Sequence, residues 1–295
     1  MASQWKNAKH KAQWKYTLEV LAKPLRPLRV DQIGTAEVLD VLKPLWRTTP
    51  ETASRLRGRI EAVFDRAKAH GERQGENPAR WRGHLKLLLP KRQKLTRGHH
   101  AALPYGELPE FMAKLRAVEG LSAMALEICI LTATRTTEML AAQWDEIDLD
   151  KKEWVIPAVR MKSGVEHHIP LPDRAVTVLK TLRKIRDGKY IFPSSRTNKK
   201  HLSNMSMTMV LRRLDYGHIT THGFRSSFKD WAGEQTNFAN EVSEAALAHV
   251  VKDKAEAAYR RATMFDKRRK LMATWAQYCE PKGTTVVPFS KRRQS

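Results

Sequence analysis

One short stretch of this chain departs from the helical periodicity of the rest, and that departure sets the fold class. Most apolar residues recur every three or four positions, which is typical of amphipathic helices. The runs Glu153–Pro157 and Glu166–Leu171 instead have the composition of β-strands, and a turn signature, Met161–Gly164, separates them. The sequence therefore predicts a mainly α-helical protein with a small antiparallel β-sheet, formed by a hairpin inside a helical domain.

The 295 residues are enough for two domains. In the N-terminal part, Thr35 is expected to cap one helix and Thr49 another, with Leu56, Ile60, Val63 and Ala67 on the apolar face of the second. A basic stretch with a proline and a glycine follows. The predicted organisation is a helical domain over 1–88, a basic linker over 89–105, a second domain over 106–281 with helices from Asp173 to about Cys279, and a flexible basic tail over 282–295.

The charge balance favours a polyanionic partner. Lys and Arg number 54 against 31 Asp and Glu, which gives a net charge of +23. Nucleic acid is the first candidate, because cations that neutralise phosphates release counterions. The alternatives are a basic protein with no specific partner and a protein associated with the ribosome. The candidate phosphate contacts are two arginines of the first domain and three cations of the linker, for which a solvated surface is the alternative: Arg55, Arg59, Lys91, Arg92 and Lys94.

Several classes of protein are disfavoured by what the sequence lacks. No apolar run approaches the roughly 20 residues that a membrane span needs, and the first residues have no apolar signal core. Cys129 and Cys279 lie in apolar helical patterns and are expected to be buried thiols inside the cell. There is no glycine-rich phosphate loop and no His-Glu-x-x-His. We therefore expect no cofactor and no metal.

An acidic cluster at a turn is the one candidate for a metal site. Asp145, Glu146, Asp148 and Asp150 could in principle bind magnesium. Their position between a helix and a strand is interpreted more simply as a set of solvent-facing turn residues.

Two cation pairs indicate a phosphate-binding centre. Arg135 and Glu138 are three residues apart, on one helical face, and Arg135 follows an apolar run that predicts partial burial. Glu138 is expected to orient the guanidinium toward phosphate, although a purely structural ion pair is the alternative. His222 and Arg225 repeat the spacing.

The order of these residues resembles that of the tyrosine recombinase (phage integrase) family: Arg135, Lys162 at the hairpin turn, His222 with Arg225, His249, then Tyr259. The segments around them resemble integrases of prophages and genomic islands, and so do Pro50–Arg55 and Gly75–Pro78 of the first domain. The resemblance implies a SAM-like helical core-binding domain followed by the catalytic domain of the family. Two departures are expected: the chain lacks the N-terminal arm-binding domain, and Ala248 replaces the usual glycine.

The resemblance also implies roles for these side chains. Arg135 and Arg225 would clamp the scissile phosphate, and Tyr259 would attack it to form a 3′-phosphotyrosyl link. Lys162 would protonate the departing 5′ oxygen, His222 would assist proton transfer, and His249 would hydrogen-bond the phosphate.

The implied function is a site-specific DNA recombinase that integrates or excises a mobile element. The alternatives are a type IB topoisomerase-like relaxer and a catalytically silent DNA-binding regulator. The implied partners are double-stranded DNA, three further copies in a homo-tetramer, and DNA-bending accessory proteins, in the bacterial cytoplasm near the nucleoid. The C-terminal helix carries an apolar stripe that either packs in the core or docks on a neighbouring protomer: Leu271, Met272, Trp275, Tyr278 and Cys279.

Overall fold

The computed structural model describes residues 8–91, 101–185, 188–194, 197–249 and 254–281; the side chains of 8–9, 198–199 and 254–263 lie outside the description. The chain divides into two compact units, Met1–Thr96 and Arg97–Ser295. This division falls within residues 89–105, and the finer limits given above remain predictions. The predicted basic tail lies outside the described residues.

Every regular element in the described part of the first unit is a helix. Its helices are α1 (Ala8–Tyr16), which continues as a π-helical turn over Thr17–Leu21, α2 (Thr35–Thr48), α3 (Pro50–Ala69) and the short α4 (Lys86–Leu88). Facing residues of α2 and α3 form its core, and Leu42 and Leu56 are fully buried. On α3, Phe64 completes the buried face where Val63 was expected, because Val63 is only half-buried.

Neither threonine caps its helix through its side chain, contrary to prediction. Gly34 precedes α2, and its N–H donates to Oε2 of Glu37 at 2.9 Å. Thr35 is the first helical residue, and its hydroxyl hydrogen-bonds His84 Nε2 at 2.9 Å. Thr49 occupies the predicted position, but its hydroxyl contacts the Leu45 carbonyl at 3.5 Å. A carboxylate three residues into α2 thus satisfies the terminal N–H instead.

The second unit is built around one almost fully buried helix, α6. Its elements before the sheet are α5 (Leu108–Arg116), α6 (Leu121–Thr132) and α7 (Thr136–Leu140); those after it are α8 (Asp173–Lys184), α9 (Met205–Arg213), α10 (Gly223–Gln235), α11 (Asn240–Ala246) and α12 (Lys254–Tyr278). The free Cys129 and Cys279 thiols are both buried, as predicted. Burial raises the pKa of Cys129 to about 12.

The predicted hairpin is present and belongs to a three-stranded antiparallel sheet. Strand β2 (Glu153–Ile156) pairs on one side with β3 (His167–Pro170) and on the other with the two-residue β1 (Ile147–Asp148). In the register, Ile156 lies opposite His167. The mainly helical fold with a small antiparallel sheet is therefore confirmed.

Two sequence interpretations around this sheet are wrong. Glu146 is not solvent-facing: it is buried and accepts hydrogen bonds from Arg160 and from Trp154 Nε1. The region after Asp173 is not helical throughout, since β4 (Pro193–Ser194) and β5 (Thr197–His201) form a second antiparallel pair. A strand of two residues has no period from which to predict it.

The apolar stripe of α12 packs inside its own unit. Leu271, Met272, Trp275 and Cys279 are buried in the core, and Trp275 Nε1 donates to the Ile130 carbonyl of α6 at 2.9 Å. Of the two interpretations, the structure therefore supports core packing, because these side chains are not available to a neighbouring protomer. Within the described ranges, no helix combines the length and apolar character that a membrane crossing requires.

Candidate active site

Two arginine side chains meet at the C-terminal end of α11. Arg225, in the first turn of α10, donates from Nη2 to the Leu247 carbonyl at 2.6 Å and from Nη1 to the Ala133 carbonyl. Arg135, immediately before α7, donates from Nη2 to the carbonyls of Leu247 at 3.3 Å and Ala248 at 3.1 Å. The Leu247 carbonyl thus holds both guanidinium groups, which places them side by side.

The ends of two helices supply the acceptors. The last carbonyls of a helix have no intrahelical partner and carry partial negative charge, so cations are favoured there. Ala133 ends α6 with φ 48°, and Ala248 follows α11 with φ 49°; both lie in the left-handed region. A left-handed residue is a common way to end a helix. The ends of these two helices therefore supply the carbonyl groups that hold the arginines.

Glu138 fixes Arg135 from the other side. Its Oε1 accepts from Arg135 Nη1 at 2.7 Å, and its Oε2 accepts from the Arg135 backbone N–H at 3.0 Å. The carboxylate is 4% exposed and the guanidinium 21% exposed. The predicted contact is confirmed, and the same carboxylate both caps α7 and orients the arginine.

The electrostatics of the pair favour an anion. Arg225 is only 6% exposed, and its burial together with the nearby Arg135 lowers its pKa to about 10. Two close cations in a partly desolvated site repel each other, and a bound anion relieves that repulsion. Of the five N–H donors on each guanidinium, at most two on Arg135 and three on Arg225 remain for such an anion.

Two histidines also reach this helix end. His249 Nε2 lies 3.5 Å from Arg225 Nη2, and its Nδ1 hydrogen-bonds Glu244 Oε2 at 2.6 Å. His167, on β3, donates to the Ala246 carbonyl; burial of its ring and the nearby Arg268 lower its pKa to about 3, so it is neutral. Sequence reasoning assigned no role to His167 or Glu244, although the spacing of five from Glu244 to His249 was visible.

Comparison with known proteins identifies the family. The model described as "Phage integrase family" matches residues 103–264, and the one described as "Phage integrase central domain" matches residues 1–84. The chain belongs to the phage integrase family. The family predicted from the order of the site residues is therefore confirmed.

Related proteins are integrases of phages and prophages. The integrase of Enterobacteria phage P4 is 29% identical over 85% of this chain and 60% of its own length. Prophage integrase IntZ of Escherichia coli K12 is 32% identical over 83% of this chain and 59% of its own. The chain thus spans about three fifths of the length of these relatives.

Solved structures of integrases share the fold. A lambda integrase (75–356) dimer bound to a COC′ core site has a TM-score of 0.65 at 17% identity, with 85% of this chain and 91% of that chain covered. The Tn1549 transposon integrase (aa 82–397) in complex with circular intermediate DNA has a TM-score of 0.57 at 13% identity, with 86% and 94% covered.

For the other predicted site residues of this phage integrase family member, the structure gives fewer contacts. Lys162 is exposed in the β2–β3 turn and hydrogen-bonds no other described residue. His222 immediately precedes α10 and is half-buried. Tyr259 belongs to α12, but its side chain lies outside the described residues. Its role and that of Lys162 remain predictions.

The predicted DNA contacts of the first unit differ in their surroundings. Arg59 donates to the Gln13 carbonyl at 2.7 Å and lies over the Trp14 ring at 5.4 Å, so it packs α1 on α3. Arg55 pairs with Glu51 at 3.1 Å and stays 56% exposed. Lys91 is exposed, and two further candidates lie outside the described residues: Arg92 and Lys94.

Ala248 occupies a backbone conformation that suits the family's usual glycine. A left-handed conformation costs an L-residue about 1–2 kcal/mol, and the greater freedom of unfolded glycine offsets about 0.5–1 kcal/mol of any gain. We expect Ala248→Gly to raise the free energy of unfolding by about 0.5–1 kcal/mol, measured by urea denaturation. Ala245→Gly, inside α11, is the control and should lower it by about 1 kcal/mol. Equal losses in both variants would contradict strain at Ala248.

Proposed function

We propose that this chain is the DNA-cleaving part of a site-specific recombinase that integrates or excises a mobile element through a 3′-phosphotyrosyl intermediate. The observation that carries the proposal is the pair of guanidinium groups on the Leu247 carbonyl. A planar guanidinium meets two phosphate oxygens at once, so two of them suit a phosphodiester.

The arginine pair would act on the transition state. Attack on a phosphodiester builds negative charge on the non-bridging oxygens, and fixed cations in a desolvated site stabilise that charge. Arg135 and Arg225 are fixed by backbone carbonyls and by Glu138, so they need little rearrangement when the charge develops. The same cations favour the negatively charged phenolate of Tyr259. That help is needed because a tyrosine hydroxyl has an ordinary pKa of about 10 and stays protonated at neutral pH.

The proposed step exchanges one phosphodiester for another. The Tyr259 oxygen forms a bond to phosphorus as the bond from phosphorus to the 5′ oxygen breaks, and Lys162 gives a proton to that oxygen. His222 assists removal of the phenolic proton, and His249 hydrogen-bonds a non-bridging oxygen. A 5′ hydroxyl can later attack the phosphotyrosine and rejoin the strand. The reaction calls for no nucleotide hydrolysis and no metal ion.

The proposed partners are duplex DNA and further copies of the chain. The net charge of +23 supports a polyanionic partner. Solved neighbours include a lambda integrase dimer on a core site and a lambda integrase tetramer bound to a Holliday junction. We propose a tetramer on paired DNA sites, acting inside a bacterial cell.

The test is covalent trapping on nicked DNA. The substrate is a library of duplexes with random core sequences and a nick near the centre. After cleavage, the short fragment between the cleavage point and the nick carries the free 5′ hydroxyl and diffuses away, so the strand cannot be rejoined and the adduct accumulates. We expect an SDS-resistant adduct with the wild-type chain and none with Tyr259→Phe, whereas Tyr278→Phe, in the packed part of α12, should keep it. The adduct yield should not change with EDTA.

The outcomes separate the alternatives. An adduct that persists in Tyr259→Phe overturns the nucleophile, and a strong loss with EDTA overturns the metal-independent mechanism. Sequencing of the trapped duplexes should recover one inverted-repeat core. Trapping without sequence preference would indicate a relaxing enzyme instead.

A further inference from the structure

Glu244 connects His249 to a second basic side chain. One carboxylate oxygen, Oε2, hydrogen-bonds His249 Nδ1 at 2.6 Å, and the other, Oε1, accepts from Lys229 Nζ at 2.5 Å. Glu244 is one-third exposed, and His249 is about half exposed. The carboxylate therefore holds the imidazole by the nitrogen that faces away from the arginines.

We infer that Glu244 is a positioning residue: its hydrogen bond to Nδ1 sets which nitrogen of His249 carries a proton and turns Nε2 toward the site proposed for the scissile phosphate. The inference rests on the proposed function, in which His249 is a phosphate ligand.

The carboxylate is itself held in place. Lys229, on α10, also contacts Ser243 Oγ at 2.8 Å and Asn240 Oδ1, both on α11. The backbone N–H of His249 donates to the Glu244 carbonyl at 3.0 Å, so the two residues are joined by main chain and side chain. Three contacts of one ammonium group therefore tie α10 to α11 beside the imidazole and limit rotation of the carboxylate.

The protonation state decides what the ring can do. With a proton on Nδ1 shared with Glu244, a neutral ring has a lone pair on Nε2, which can accept from Arg225 Nη2 but cannot donate. A doubly protonated ring donates through Nε2 to a phosphate oxygen and adds a positive charge. In either form Nδ1 carries the proton that the Glu244 carboxylate accepts, so the ring stays turned with Nε2 toward Arg225.

The charge of Glu244 is set by its two hydrogen-bonded partners. Burial opposes ionisation of Glu244, but the hydrogen bonds from Lys229 and His249 outweigh it and lower the pKa of Glu244. Glu244 is thus ionised at neutral pH, and it is the carboxylate in direct contact with His249.

Glu244→Gln separates charge from geometry. The amide oxygen can still accept from Nδ1–H, but the negative charge is lost. A charged acceptor holds an N–H donor about twice as strongly as a neutral one. The glutamine should therefore hold the ring less firmly, and adduct formation should fall by up to about tenfold. Glu241→Gln, exposed on the same helix, makes the same charge change as the control.

The experiment follows both the ring and the reaction. NMR of ¹⁵N-labelled histidine in the full chain should show the Nδ1–H tautomer of His249 in the wild-type chain and a mixture of the two neutral tautomers in Glu244→Gln, with Glu241→Gln unchanged. The yield of the Tyr259-dependent adduct should fall in Glu244→Gln alone. In a His249→Gln background, Glu244→Gln should cause no further loss.

The possible failures are distinguishable. If the wild-type chain forms no Tyr259-dependent adduct, the proposed function fails, and the NMR tautomer measurement still tests the Glu244–His249 pair. If the adduct forms but Glu244→Gln and Glu241→Gln give the same tautomer populations and the same adduct yield, the positioning role is overturned and the proposed function stands.

Discussion

Arg225→Gln is expected to reduce the rate of covalent complex formation on nicked DNA by about 10²–10³-fold, the loss typical of removing one preorganised donor to a developing oxyanion. Arg225 is buried and fixed by the Ala133 and Leu247 carbonyls, so its remaining N–H groups are already oriented. Glutamine keeps polarity but loses the charge and the fork that meets two oxygens. The measurement is the single-turnover rate at saturating DNA.

A control is needed because the same residue supports the fold. Loss of the guanidinium removes the donor to the Ala133 carbonyl and leaves the Leu247 carbonyl with Arg135 as its side-chain donor. A buried group left unsatisfied costs about 1–3 kcal/mol. Folding is therefore checked by circular dichroism, and Arg212→Gln, an exposed arginine of α9, provides the matched loss of charge. Equal cleavage rates in the two variants would contradict the phosphate clamp.

Glu146→Ala is expected to destabilise the second unit by about 3–5 kcal/mol, the usual loss when one partner of a buried ion pair is removed. Its side chain is 6% exposed and that of Arg160 is 14% exposed. Glu146 also accepts from Trp154 Nε1 at 3.0 Å and from the Gln143 N–H at 3.3 Å. Three donors therefore lose their acceptor together.

The same variant should also weaken the support of Arg135 in the active site. Arg160 Nη2 donates to the Glu138 carbonyl at 2.6 Å, so the Glu146–Arg160 ion pair supports the residue that orients Arg135. Hydrogen exchange of α6 amides under increasing urea measures the loss of stability. Asp145→Ala, one residue away and exposed, should stay within about 0.5 kcal/mol of the wild type. A Glu146→Ala variant as stable as Asp145→Ala would show that the pair contributes little.

Local patterns predicted much of this molecule, because helical and strand periods are properties of neighbouring residues. The β2–β3 hairpin, the buried α12 stripe as one of two options, and the Arg135–Glu138 contact all follow from short spacings. The order of cations predicted the family, although no single pair was specific enough to do so.

What the sequence could not show depends on contacts between distant segments. From the sequence, Glu146 is interpreted as a solvent-facing acid in a turn. In the fold it is buried against Arg160 and Trp154, which lie 14 and 8 residues further along the chain. His167 reaches the end of α11 only because the sheet brings β3 there. The joint use of the Leu247 carbonyl is likewise invisible in the sequence, since it requires the chain to bring three segments together.

Ala248 shows how a sequence departure can acquire a physical meaning. In the sequence it is one methyl group in place of the family's usual glycine. In the fold it is a left-handed residue whose carbonyl accepts from Arg135 and whose neighbour is His249. The substitution therefore places mild backbone strain directly between two proposed phosphate ligands.

The central claim is most directly tested by identifying the atoms of the covalent link. The adduct trapped on nicked DNA is digested with protease and nuclease, and the nucleotide-bearing peptide is sequenced by mass spectrometry. The account predicts a 3′-phosphate joined to the oxygen of Tyr259 and a free 5′ hydroxyl on the released strand. A link to any other side chain, or a 5′-phosphate on the protein, would contradict it.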